Sequence, residues 1–176
     1  MASNLKPLQS DLPVGEIDVR VEAVIAEAMK WVGTVEEAGN RGAAIERFQK
    51  AVDGIAAGEP YCMGWVQFLF KETGLRSDIF SSEHCMTVWR NSPKCLRLMN
   101  PKRGCIPIWR FGESDSGHAG IVSSVNGALM KTIEANTGPA KGVEREGDGV
   151  YEKIRLIRPT EGRMKIVGFL WPWREK

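Results

Sequence analysis

At 176 residues, with 43% hydrophobic and 26% charged residues, the chain suits one globular unit around a single core and leaves no room for two ordinary domains. A net charge of +2 without long runs of like charge excludes nucleic acid as the expected partner. The opening stretch lacks an apolar signal-peptide core, and nowhere do about 18 apolar residues run together, so neither a secretory leader nor a membrane span is expected.

Residues 1–16 carry Pro7, Pro13 and Gly15 with little periodicity and read as a flexible arm, leaving 17–176 as one domain. From Asp18, a plausible N-cap, Val21, Val24, Ile25, Ala28 and Val32 recur at helical spacing until Gly33. A second helix follows Asn40, with Ile45, Phe48 and Val52 on one stripe and Gly54 as its stop. The segment 58–74 offers Glu59 as a cap and Pro60 as the first helical residue. It then runs apolar through Trp65, Val66, Phe68, Leu69 and Phe70, the pattern of a buried central helix. Ser81 or Ser82 caps a shorter helix reaching about Asn91, after which Pro93, Pro101 and Gly104 mark loops.

Beyond Gly104 the period becomes strand-like, over 105–111, 118–125, 128–136, 149–157 and 164–171. Helices followed by an antiparallel meander predict an α+β domain, with N-terminal helices packed on a five- to six-stranded antiparallel sheet.

The four cysteines, Cys62, Cys85, Cys95 and Cys105, are expected as free thiols. No two have C-x-x-C spacing, and His84 and His118 lie far apart, so no metal and no cofactor is expected. A thiol with an ordinary pKa of about 8.5 becomes a nucleophile near neutrality only beside a helix N-terminus or a cation. Cys62 sits in the first turn of the central helix, whereas Cys85 is expected deeper in its own helix, Cys95 in a loop and Cys105 on an apolar strand. Histidine, with an ordinary pKa of about 6.5, is the residue type suited to be the base. His118 begins a strand beside the small Ala119 and Gly120, while His84 reads as a solvated surface residue.

A third group commonly orients such an imidazole. With Asn126-Gly127 as a two-residue loop, His118 falls opposite Ala135 and Glu134 points to the other face. With a three-residue loop over 125–127 and Gly127 left-handed, His118 lies directly opposite Glu134, and Asn136 shares that face. The second register is preferred because it gathers polar groups otherwise hard to explain.

GEPYC at 58–62, GHAGIV at 117–122 and TIEANTG at 132–138, with WVGTVEEAGNRG at 31–42 as a lead-in, resemble the CHAP family of amidohydrolases and peptidases, common in phage endolysins and bacterial autolysins. The resemblance implies a papain-like fold in which Cys62 attacks a carbonyl, His118 moves the proton and Glu134 orients the imidazole, with Asn136 supporting Glu134 or replacing it. The backbone N–H of Cys62 is implied as an oxyanion donor, and Tyr61 and Trp65 as neighbours of substrate. Some relatives bind calcium just before the cysteine; here VDGIAAGEPYC offers only Asp53 and Glu59, so no calcium requirement is carried over.

The implied partner is bacterial peptidoglycan, cut at a peptide or sugar–peptide amide by a monomer. Phage lysis is the expected setting, the enzyme waiting in the host cytoplasm for release to the wall, with a secreted antibacterial effector as the alternative. Two other classes stand beside it: a non-catalytic wall-binding module using Trp65, Trp89 and Trp109, and a hydrolase or acyltransferase of another amide or thioester.

Overall fold

The structure, a computed structural model, describes residues 18–139, 147–158 and 164–174. The expected flexible arm over residues 1–16 lies outside the described residues. Among the described residues, four α-helices precede and flank a six-stranded antiparallel sheet, so the α+β expectation holds.

Helix α1 spans Val19–Lys30, and the Asp18 side chain caps it by accepting from the Arg20 N–H at 3.0 Å. Its Val21, Val24, Ile25 and Ala28 stripe is buried as the spacing requires. Helix α2 spans Ala43–Asp53 and stops where Gly54 turns left-handed. Helix α3, Cys62–Glu72, buries Cys62 through Val66 and Phe68 through Phe70, and packs on the sheet at its third and fourth strands. Its start differs from expectation: Tyr61 is the cap residue and Pro60 lies outside the helix, so Glu59 caps nothing there. The Glu59 carboxylate instead accepts from the Ala57 N–H at 2.7 Å, inside the preceding loop.

Helix α4 spans Cys85–Asn91 and starts later than expected, with His84 at the cap. Cys85 is therefore the first residue of its helix rather than deep within it. The region read as loops holds a 3-10 turn at Lys94–Leu96 and a short strand β1 at Arg97–Leu98.

The remaining strands are β2 (Ile106–Phe111), β3 (Gly117–Asn126), β4 (Leu129–Thr137), β5 (Gly149–Leu156) and β6 (Met164–Leu170). Their order across the sheet is β1-β6-β2-β3-β4-β5. The chain thus runs from β2 through β5 as a meander, and β6 returns to the other side of β2.

The β3–β4 hairpin adopts neither expected register. Asn126 pairs with Leu129, which makes Gly127-Ala128 the two-residue loop, and Gly127 supplies the left-handed φ of 58°. The register then shifts between Val122 and Ser124, and Gly120 falls opposite Glu134. The bulge restores the face that the preferred register required, because positions two apart on a strand point the same way. His118 and Glu134 consequently share a face as diagonal rather than direct neighbours.

Candidate active site

The turn leading into α3 is tied down before the helix begins. Gln49, buried on α2, donates its amide to the Glu59 carbonyl at 2.7 Å and the Asn40 carbonyl at 3.1 Å, and Asn40 donates to the Gly58 carbonyl at 3.0 Å. No side chain caps α3, so the first-turn N–H groups of a helix opening on Cys62 face the site without a competing side-chain acceptor.

His118 stands second in β3, directly across from Trp109 on β2, with the two rings tilted 35° at 5.6 Å between centroids. One ring nitrogen, Nε2, lies 2.9 Å from Glu134 Oε2. With Nε2 committed to Glu134, Nδ1 is the nitrogen left for proton exchange with the Cys62 thiol, and the charges of the two groups stabilise each other. Glu134 can reach diagonally because Gly120 has no side chain. A Cβ there would sit 2.7 Å from Glu134 Cγ and 2.7 Å from the Ile133 carbonyl oxygen.

Glu134 is fully buried at 0% exposure, where an unpaired carboxylate would be prohibitive. It is saturated instead. Arg155 on β5 donates Nε to Oε1 at 2.9 Å and Nη2 to Oε2, and the Thr132 hydroxyl donates to Oε1. Arg155 was not singled out in the sequence. The available signal is the inverted burial of β5, where Lys153 and Arg155 are buried while Ile154 and Leu156 are exposed. Lys153 likewise donates inward, to the Gly138 carbonyl at 2.6 Å.

These contacts set the charges. Burial works to raise the Glu134 pKa, but the Arg155 and His118 hydrogen bonds and charges outweigh it and hold the carboxyl down at about 2. Burial works to lower His118, but hydrogen bonds to Cys62 and Glu134, with their charges, raise it to about 9. Cys62 lies well below the ordinary thiol range, chiefly through a hydrogen bond from Cys85 and then through His118, against the opposing effect of burial. The arrangement favours a thiolate beside an imidazolium at neutral pH.

Asn136 does not contact the imidazole by any hydrogen bond. It sits at a bulge in β4 with a left-handed φ of 55°, and its buried Oδ1 has no protein partner. Tyr61 and Trp65, expected near substrate, are both at 0% exposure and belong to the core. Trp109 is buried beside His118, and Trp89 is partly buried against the core. Among the described residues no group of three or more His, Cys, Asp or Glu side chains is placed to hold a metal ion.

A family model described as the CHAP domain matches residues 54–136, a span that begins just after α2 and ends at Asn136. The match supports hydrolase action on peptidoglycan, as amidase or peptidase. A search of curated proteins returns no match.

Proposed function

This chain carries a CHAP domain, and from that premise we propose that it cleaves an amide bond of bacterial peptidoglycan with Cys62 as nucleophile and His118 as acid and base. The observation that carries the reading is the buried chain of hydrogen bonds from His118 through Glu134 to Arg155, set beside Cys62 at the head of the helix that packs on β3. The Cys62 thiolate attacks the carbonyl carbon, and the imidazolium gives its Nδ1 proton to the departing amine. Water, deprotonated by the now neutral His118, attacks the thioester and releases the carboxylate and the thiolate.

Glu134 keeps the proton on Nε2 and the ring in line, and Arg155 keeps Glu134 ionised and fixed. The Cys62 N–H at the head of α3 receives the developing oxyanion, an interaction of about 2.7–4 kcal/mol where one such donor has been removed in other enzymes. Asn136 is a supporting group at the end of β4. We place the activity in phage lysis, the enzyme acting as a monomer released to the wall; the small positive charge of the chain suits an anionic polymer.

Purified peptidoglycan digested by wild type and by Cys62→Ala, with mass spectrometry of the soluble fragments, tests the reading. Fragments from wild type alone are expected, and their masses name the bond. Equal fragments from both proteins, or none from either, would overturn it.

A further inference from the structure

The two cysteines at the heads of α3 and α4 approach closely: Cys62 Sγ and Cys85 Sγ are 3.6 Å apart, and both residues are buried. The contact joins residues 23 apart in sequence, and the seat for it is built into the sheet. Gly117, just before His118, has no side chain where one would meet Cys85 Cβ at 2.9 Å and the Trp109 carbonyl oxygen at 2.6 Å. Any larger residue there would push the α4 head away from the nucleophile. Cys105, also buried, contrasts with this pair: its thiol is pushed up to about 12 by burial, as expected of a structural cysteine.

We propose that Cys85 is the resolving thiol for Cys62, so that hydrogen peroxide converts the pair into a reversible Cys62–Cys85 disulfide that stores the nucleophile in an inactive, protected state. The proposal rests on the reading of Cys62 as the nucleophile. In the first step the Cys62 thiolate attacks one peroxide oxygen. The O–O bond breaks, hydroxide leaves to become water, and Cys62 becomes a sulfenic acid, oxidised by two electrons. In the second step the Cys85 thiolate attacks the Cys62 sulfur, the S–O bond breaks, a second water leaves and the S–S bond forms.

Closure from 3.6 Å to a bond of about 2.05 Å shortens the Sγ–Sγ separation by about 1.5 Å between two helix starts. Cys85 is held protonated by its hydrogen bond to Cys62, by burial and by the charge on Cys62. Oxidation of Cys62 removes the charge and changes that hydrogen bond, so the resolving thiol is released when it is needed. Without a resolving partner at this distance, a Cys62 sulfenic acid would proceed under further peroxide to sulfinic acid, which thiols do not reduce.

The test uses the full chain carrying Cys95→Ser, which removes the exposed thiol. The protein is treated with hydrogen peroxide, its remaining thiols are capped with N-ethylmaleimide, and non-reduced peptides are mapped by mass spectrometry. The expected result is a peptide pair joining Cys62 to Cys85, lighter by two hydrogens, with peptidoglycan cleavage lost and then restored in full by dithiothreitol. In Cys85→Ser, or in Cys85→Ala should the serine not fold, Cys62 is expected as sulfinic or sulfonic acid that dithiothreitol does not reverse. Over-oxidised Cys62 beside a free Cys85 in the parent would overturn the proposal while leaving the hydrolase reading intact. A mapped disulfide in a chain that never cleaves peptidoglycan when reduced would instead overturn the hydrolase reading alone.

Discussion

The two faces of the β3–β4–β5 sheet are built on opposite principles. One carries Ala119, Ile121, Ile133, Ala135 and Val150, all fully buried and all apolar. The other carries His118, Thr132, Glu134, Lys153 and Arg155, also buried but polar or charged, beside the apolar Val122 and Met130. The first face stabilises by removing apolar area from water and tolerates graded change. The second stabilises only while every charge keeps its partner, because a buried ion that loses its counter-ion forfeits more than the pair contributed. Stability and chemistry are therefore separable on a sheet only one strand-layer thick, by which way a residue points.

Arg155→Met breaks this contrast most severely. It leaves the Glu134 carboxylate buried without its bidentate donor, so urea unfolding is expected to show about 3–5 kcal/mol lost, with peptidoglycan cleavage reduced in the molecules that remain folded. Ile133→Ala, on the opposite face of the same strand, is expected to cost about 2–5 kcal/mol by the same measurement and to leave cleavage per folded molecule unchanged. Equal losses of specific activity in the two variants would erase the distinction between the faces.

Glu134→Gln sharpens the comparison through pH. The carboxylate contributes to holding His118 at about 9 rather than 6.5, so its removal lowers the His118 pKa. The alkaline limb of kcat, where the imidazolium proton is lost, is expected to move from near 9 down toward 6.5 in the variant. Stability follows the same linkage. A group whose pKa is raised by folding stabilises fully below 6.5, and the contribution fades as pH climbs through about 9, so the wild type is expected to lose stability across that window and the variant less.

Much of the fold was legible because its signals are local. The α1 cap at Asp18, the Val21 to Ala28 stripe and the Gly54 stop were read correctly from spacing alone. The β3–β4 register was not, because a bulge between Val122 and Ser124 leaves no mark in the turn sequence, and Gly127-Ala128 is a weaker turn signal than Asn126-Gly127. The face of Glu134 was nevertheless correct, since loop and bulge together displace the preferred register by two positions and preserve parity. Arg155 was missed because its partner lies on a neighbouring strand and four positions along from its own paired residue, Met130. Cys85 was set aside because the helix was expected to begin at Ser81 or Ser82, which hid its place at the head of α4. Tyr61 and Trp65 were expected near substrate, yet both side chains are buried in the core.

The most direct measurement is the rate at which iodoacetamide alkylates Cys62 as a function of pH, read by mass spectrometry of the Cys62 peptide. A thiolate held by Cys85 and His118 predicts alkylation that persists well below the ordinary thiol pKa of about 8.5 and weakens at neutral pH in His118→Ala. Alkylation of Cys62 that rises only above pH 8, with the same profile in His118→Ala, would contradict an activated nucleophile at the head of α3.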